Sequence, residues 1–194
     1  MRVLLLTPIP HYLASTIEET GDTYAVSMDA PDKWPPDIDF VVSFGYRHII
    51  RERVINHYRG RLINIHISLL PWNRGADPNF WSWFDRTPKG VSIHAIDAGI
   101  DTGDILSQLE VIPGEEGLTL RSSYSDMVQF AASLFASEWE SIRALDWNPI
   151  TIPSGKGSYH NIEDKTPWMG KLPLGWDTPV KDVEELGAAI SRNN

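Results

Sequence analysis

Three polar side chains with complementary chemistry occur close together in this sequence. Asn64 and His66 are two residues apart, and Asp101 follows in a loop flanked by glycines. An amide can donate hydrogens to a carbonyl oxygen as that oxygen gains charge. An imidazole can accept a proton from an attacking amine, and a carboxylate can orient that imidazole and stabilise its protonated form. The set predicts acyl transfer to an amine by direct attack, which requires no serine or cysteine nucleophile.

The strand that carries Asn64 and His66 decides where they point. Residues 62–66 are predicted to form a β-strand. Because side chains alternate along a strand, Asn64 and His66 face the same side, and Ile63 and Ile65 face the core. Open α/β sheets place their sites at the carboxyl ends of strands, which is where these two polar residues lie.

Strands and helices alternate along residues 1–147, which are expected to form the catalytic domain. Predicted strands cover residues 3–6, 24–28, 40–44, 62–66, 91–96 and 105–111, and predicted helices cover residues 13–20, 51–58, 79–85 and 119–145. This alternation indicates an α/β fold with a mostly parallel central sheet. Residues 148–194, rich in Pro, Gly and Trp, are predicted to form a hairpin and an arm packed on this domain, ending in a short helix at 183–190. The arm is a candidate contact for a homodimer.

Composition limits the classes of partner. The 194 residues suit one domain with its own core, and the net charge of -9 argues against a nucleic-acid partner, which needs a basic surface. The chain has no cysteine, which excludes disulfides and thiolate zinc sites and fits a reducing, cytoplasmic location. The apolar run Val3 to Leu6 is too short for a signal peptide or a membrane span, so no membrane partner is expected.

Simpler interpretations of the same residues stay open at this point. A histidine near an asparagine on a strand usually bonds a backbone group, and Asp97, Asp101 and Asp104 are typical turn residues. These carboxylates could also bind a hard cation, but their spacing matches no EF-hand loop, and no metal is expected. His94 lies in an alternating run and is expected to be structural. The run 101–103 is also similar to an aspartic-protease loop, but one copy would require a symmetric dimer, and the helices do not fit that all-β class.

Taken together, these segments resemble the formyltransferase family that uses N10-formyltetrahydrofolate. The motifs of that family occur here in order at Asn64-Ile65-His66, Ser68 to Pro71, Arg74-Gly75, Gly90 to His94 and Asp97 to Ile105. The upstream run Ser43 to Ile50 is similar to the strand and turn of the family's folate pocket. The resemblance implies a metal-free enzyme with one Rossmann-like domain and N10-formyltetrahydrofolate as its co-substrate.

The resemblance also implies roles for individual positions. The catalytic residues would be Asn64 for the oxyanion, His66 for proton transfer and Asp101 for holding His66 or an ordered water. The folate-binding positions would be Tyr46, Arg47, His48, Ile49, Ile96, Asp97, Ala98, Gly99 and Asp104. The substrate-binding positions would be Trp72, Arg74 and Gly75.

The acceptor is expected to be a nucleotide-linked amino sugar, as in polysaccharide or O-antigen biosynthesis. Methionyl-tRNA formyltransferases resemble this core but add a β-barrel and a basic surface, which the length and charge here do not suit. Glycinamide ribonucleotide formyltransferases hold phosphate on a glycine-rich first turn, whereas Thr7 to His11 has no glycine and two prolines without N–H groups.

The aromatic run Pro71 to Trp83 and the segment 155–160 resemble sugar N-formyltransferases instead. Trp72, Trp81 and Tyr159 could stack on a base or sugar, or could belong to the core or an interface. Two alternatives remain: glycinamide ribonucleotide as the acceptor, or a non-catalytic module that binds folate or a sugar nucleotide.

Overall fold

The computed structural model describes residues 1–112, 114, 117–151 and 155–191. Its strands are β1 (Arg2–Leu6), β2 (Thr23–Val26), β3 (Phe40–Ser43), β4 (Leu62–His66), β5 (Arg74–Gly75), β6 (Lys89–Ala95), β7 (Ile105–Val111) and β8 (Tyr159–His160). Its α-helices are α1 (Ala14–Glu19), α2 (Glu52–His57), α3 (Pro78–Phe84), α4 (Leu120–Arg143), α5 (Thr166–Met169) and α6 (Val180–Ser191). None of these helices is long and apolar enough to cross a membrane.

A central sheet has the strand order β2-β1-β3-β4-β6-β7. The pairings among the first four strands are parallel, and β6 and β7 each pair in antiparallel fashion with the preceding strand of that order. The expected α/β fold with a mostly parallel central sheet is therefore confirmed. The carboxyl ends of β1, β3 and β4 lie at one edge of the sheet, which is the edge where polar groups were expected to meet.

Alternation along the buried strands creates two apolar layers. Val3 and Leu5 of β1 face the layer that includes the buried side chains of α1 and α4. Leu4 and Leu6 face the opposite layer, against which the apolar side of α2 packs. Helix α4 begins with a capping box, in which the Thr119 and Ser122 side chains bond each other's backbone amides. Helices therefore cover both faces of the sheet, and its polar edge stays available for chemistry.

The tail packs on the domain through a third cluster, formed by α3, α6 and the intervening chain. Its buried members include Phe80, Trp83, Leu172, Val180 and Val183. The helix predicted at 183–190 is confirmed within the longer α6, and the helices expected at 79–85 and 119–145 correspond to α3 and α4.

The hairpin predicted in the tail stays a prediction, and the described residues of the tail show a different pairing. Strand β8 pairs in parallel with β5, within a segment expected to be a loop. Gly157 allows the tail to lie this close to the loop after β4, since its φ is +90° and a Cβ would lie only 1.8 Å from the Pro71 carbonyl oxygen. The tail thus bonds the loop after β4 through β8. A dimer contact through the arm stays a prediction.

Asp22 joins the chain after α1 to the end of α4. Its carboxylate accepts hydrogen bonds from Nε and Nη2 of Arg143, at 2.8 and 2.9 Å, and its side chain is 1% exposed. Burial alone would raise the pKa of Asp22, but hydrogen bonds from Arg143, the Met1 amino group and Thr20 lower that pKa to about 2. The ionised carboxylate is therefore more stable in the folded chain than in the unfolded chain.

We predict that Asp22→Asn lowers the free energy of unfolding by about 2 kcal/mol at pH 7. Because the folded pKa lies below the unfolded value, this stabilisation is complete above roughly pH 4 and disappears as the pH falls through about 2. Urea unfolding at pH 7 and near pH 2 measures the difference. Asp126→Asn, at an exposed position of α4, is the control and should change stability by less than about 0.5 kcal/mol. An equal loss for Asp22→Asn at both pH values would contradict this account.

Candidate active site

Strand β4 places Asn64 and His66 on one face. Ile63 and Ile65, at the alternate positions, are 1% and 2% exposed and belong to the core. The side-chain directions expected from strand alternation are confirmed. His66 is itself buried, and Asn64 is partly buried, so their polar atoms lie in a site largely sheltered from water.

Asp101 reaches these residues from the loop between β6 and β7. Its backbone is left-handed, with φ of 51°, an uncommon conformation that residues at functional sites often adopt. One carboxylate oxygen accepts a hydrogen bond from Nδ2 of Asn64 at 3.3 Å, and the other accepts one from the Gly75 amide at 2.8 Å. The structure therefore brings together the three residues to which catalytic roles were assigned.

The hydrogen bond that orients His66 differs from the one expected. Nε2 of His66 lies 3.7 Å from Asp101 Oδ2, which is too long for a hydrogen bond. The same nitrogen donates to the backbone carbonyl of Asn73 at 3.0 Å. A carbonyl oxygen can only accept, so the bond to Asn73 requires a hydrogen on Nε2. Asp101 thus acts on His66 through its charge, and Asn73 orients the ring.

Asp101 is ionised despite its burial. Burial alone would raise the pKa of Asp101, but the adjacent His66, the contact with His94 and the Gly75 amide together hold that pKa well below its usual value. The site therefore contains a fixed negative charge next to two imidazoles, which suits the stabilisation of a positive charge formed during proton transfer.

His94 belongs to the site, although it was expected to be only structural. It is 2% exposed and lies directly across from Asn64 in the antiparallel pairing of β4 and β6. Its Nδ1 donates to the Ala95 carbonyl at 2.8 Å, so in the neutral ring Nε2 accepts from Asn64 Nδ2 at 3.2 Å. When the ring is protonated, the same Nε2 can instead donate to Asp101 Oδ1, which lies 3.4 Å away. The cross-strand register is the signal that could have identified His94.

The amide of Asn64 uses its donors within the protein. Nδ2 lies 3.2 Å from His94 and 3.3 Å from Asp101, and both distances exceed the usual value of about 2.9 Å. Long bonds of this kind are comparatively easy to exchange for a bond to an incoming oxygen. Asn64 is therefore held in position without being tightly bound.

A buried serine that the sequence did not single out supports the loop after β4. Ser92 is fully buried and donates through Oγ to the Ser68 carbonyl at 2.7 Å. The same oxygen accepts from the Leu70 amide at 3.0 Å and from Gln108 Nε2 at 2.7 Å. This bonding fixes the path from β4 towards Asn73.

The positions with predicted folate roles occupy two neighbouring segments. Tyr46 and Ile96 pack partly buried against the same apolar layer as α2. The Asp97 carboxylate accepts from the Gly99 amide at 3.0 Å and from the Thr102 hydroxyl at 2.7 Å, so it organises its own loop. The remaining positions are exposed or partly buried, and these are Arg47, His48, Ile49, Ala98, Gly99 and Asp104.

The positions with predicted substrate roles lie beside Asp101. Gly75 bonds the carboxylate directly, and Nε of Arg74 is buried without a hydrogen-bond partner among the described residues. Trp72 is 37% exposed and remains available to a ligand. Trp81, in contrast, is 3% exposed and stacks on His160, so it belongs to the core. Tyr159 is 41% exposed.

No metal cluster is formed by the part of the chain that the structure describes: no three His, Asp or Glu side chains there are grouped so that they could hold an ion.

Comparisons with known proteins identify the family of this chain. A family profile described as formyl transferase matches residues 34–131. The solved formyltransferase PseJ from Anoxybacillus kamchatkensis, in complex with UDP-4,6-dideoxy-4-formamido-L-AltNAc and tetrahydrofolate, is 41% identical, with a TM-score of 0.89 over 96% of this chain and 100% of that chain. A sugar N-formyltransferase from Shewanella shares the fold, with 23% identity and a TM-score of 0.75 over 97% of this chain and 87% of that one.

Curated relatives carry another name. A methionyl-tRNA formyltransferase from Elusimicrobium minutum is 27% identical over 95% of this chain, which spans 55% of that relative's length. A second methionyl-tRNA formyltransferase, from Finegoldia magna, is 38% identical over 41% of this chain and is matched over only 26% of its own length. Because the family profile matches half of the sequence and PseJ matches nearly all of it, we conclude that this chain belongs to the formyl transferase family.

Proposed function

We propose that this protein transfers a formyl group from N10-formyltetrahydrofolate to the amine of a nucleotide-linked amino sugar. The observation that carries the proposal is the grouping of Asn64, His66 and Asp101 at the end of β4, because these three groups suffice for acyl transfer to an amine. The 41% identity to PseJ, whose structure contains a formamido sugar nucleotide and tetrahydrofolate, favours this acceptor class.

Each catalytic side chain has a distinct role in this reaction. The folate supplies the formyl group. Asn64 donates an amide hydrogen to the formyl oxygen as negative charge develops there, and gives up a long bond to His94 or Asp101 to do so. His66 accepts the proton of the attacking amine as the amine bonds the formyl carbon, and with its Nε2 hydrogen held by Asn73 the accepting atom is Nδ1. The bond between the formyl carbon and N10 then breaks, and His66 returns the proton to N10 as tetrahydrofolate leaves. The charge of Asp101 stabilises the protonated ring.

Tyr46 and Arg47 suggest how the two substrates would be separated. The Tyr46 hydroxyl donates to the Asp29 carbonyl, and its ring packs beside Trp34 on the layer that contains Ile96. We assign this side to the pterin, since Ile96 opens the loop with the predicted folate positions. The charge of Arg47 also acts on α4: burial raises the pKa of Tyr124, and the Arg47 charge opposes that rise.

The surface around Tyr124 suits a nucleotide. Tyr124 and Trp176 are 38% and 39% exposed, and their ring centroids are 5.8 Å apart. Tyr12 lies in the segment that follows β1 at the same edge of the sheet. Exposed aromatic rings stack on bases, and a guanidinium binds phosphate oxygens through paired hydrogen bonds. With the nucleotide on this surface, a sugar attached to it would extend towards Asn64 and carry the amine that attacks the formyl group.

The turn after β1 argues against glycinamide ribonucleotide. Pro8 and Pro10 have no N–H group, and the Ile9 amide bonds Thr7 Oγ1 at 3.2 Å. Few free amides therefore remain there to bind a terminal phosphate, in contrast to a glycine-rich turn.

A turnover assay tests the proposal. The protein is mixed with N10-formyltetrahydrofolate and one acceptor at a time, and tetrahydrofolate release is followed by absorbance. The acceptors are UDP- and dTDP-linked amino sugars, glycinamide ribonucleotide and initiator methionyl-tRNA. We expect release with one class of amino sugar nucleotide alone. Release with the tRNA or the ribonucleotide would replace the proposed acceptor, and folate binding without turnover of any acceptor would favour a binding module.

A further inference from the structure

We propose that Ser158, a residue of the tail, is a positioning residue for His66 and acts through Asn73. The inference rests on the proposed function, in which His66 transfers the proton. It makes the segment around β8 part of the catalytic machinery, although that segment is distant in sequence from the strand that carries His66.

The first link is the bond between Nε2 of His66 and the Asn73 carbonyl, at 3.0 Å. Because the carbonyl only accepts, it selects the tautomer with hydrogen on Nε2 and restricts rotation of the ring. His66 is buried, so water does not compete freely for this bond. The position of one backbone carbonyl therefore determines which nitrogen of His66 can accept a proton.

The second link is the set of contacts that hold Asn73. This residue is fully buried and has a left-handed backbone with φ of 54°. Its amide nitrogen donates to Ser158 Oγ at 2.8 Å, and its side-chain oxygen accepts from the same hydroxyl at 3.1 Å. Its side-chain nitrogen donates to Thr87 Oγ1 at 2.6 Å. One hydroxyl group from the tail thus bonds both the backbone and the side chain of the residue whose carbonyl holds His66.

The backbone pairing around Ser158 does not depend on that hydroxyl. The Ser158 carbonyl accepts from the Arg74 amide at 3.0 Å, and the Ser158 amide donates to the Pro71 carbonyl at 3.2 Å. The Ala76 amide also bonds the His160 carbonyl at 2.9 Å. Ser158→Ala would therefore remove the two bonds to Asn73 and leave β8 paired with β5. This separation allows positioning to be distinguished from a purely structural clamp.

The test measures the tautomer of His66 directly. Long-range 1H–15N correlation spectra of 15N-histidine-labelled protein distinguish the two neutral tautomers, and the spectrum of His66→Gln assigns the signal. We expect Ser158→Ala to shift His66 from the Nε2-protonated form towards a mixture and to lower kcat roughly 10- to 100-fold, with little change in KM for folate. Ser158→Thr, which keeps the hydroxyl, should restore both readouts.

Two further variants keep the result interpretable. Ser123→Ala is the matched control, since Ser123 of α4 likewise has two side-chain bonds, to Trp83 and Asn79, and bonds neither Asn73 nor His66 among the described residues. It should lower stability and leave the His66 signal unchanged. Thr87→Val removes the other side-chain partner of Asn73 and should shift the His66 signal in the same direction as Ser158→Ala. It replaces Ser158→Ala as the test variant if that protein is poorly folded.

A folded Ser158→Ala protein with the wild-type His66 tautomer would overturn the inference. The spectrum requires no substrate, so this outcome is separate from a failure of the proposed function. If the tautomer shifts but the wild-type protein turns over no acceptor, the positioning is upheld and the assigned reaction is wrong.

Discussion

His66→Gln is expected to lower kcat roughly 100- to 10,000-fold, the range for loss of a general base. Glutamine can still donate to the Asn73 carbonyl, so the loop that His66 contacts should stay in place. What is lost is the ring nitrogen that accepts the amine proton and the cation that the charge of Asp101 stabilises. The effect should therefore fall on the rate with saturating substrates and not on folate binding.

Steady-state kinetics with the acceptor found in the assay, together with folate titration, measure both quantities. His57→Gln, on the exposed end of α2, is the matched control and should have wild-type kinetics. If His66→Gln retains wild-type kcat, then His66 does not transfer the proton and the proposed mechanism fails.

Asn64→Ala is expected to lower kcat roughly 100- to 1,000-fold, as removal of one oxyanion donor does in other acyl-transfer enzymes. The bond to the formyl oxygen strengthens only as negative charge develops, so KM should change far less than kcat. The truncation also leaves His94 and Asp101 without the amide that lies between them.

Because that second effect could disturb the site, the His66 tautomer should be recorded for the variant as well. A wild-type tautomer with a reduced kcat would locate the defect in oxyanion stabilisation. Asn56→Ala, an exposed change on α2, controls for loss of an asparagine elsewhere. Wild-type turnover by Asn64→Ala would exclude an oxyanion role for this amide.

The sequence pattern of β4 was enough to predict the shared orientation of two catalytic side chains. The alternation of polar and apolar residues in β4 was enough to place Asn64 and His66 on one face, because the pleat of a strand fixes side-chain direction. The sheet was predicted from its buried strands for a similar reason. Asp101 was proposed from its glycine-flanked loop and from the family resemblance, but its approach depends on a left-handed loop conformation that spacing alone does not reveal.

The contacts that hold the site could not be predicted in this way. Asn73 contributes a backbone carbonyl, a group that every residue has, so no residue type marks it. His94 was missed because its role comes from cross-strand register with Asn64 and not from its own neighbours in sequence. Strands of two residues, such as β5 and β8, are too short to show any periodicity, so their parallel pairing was not predicted.

The link between Ser158 and Asn73 spans 85 positions and has a consequence for the order in which the molecule matures. Chains emerge from the ribosome beginning at the amino terminus, and the strands of the central sheet are all complete by Val111. The hydroxyl that holds Asn73 is synthesised some fifty residues later. A nascent chain would thus have its scaffold before its proton-transfer group is held in place, so that catalytic competence arrives late in synthesis.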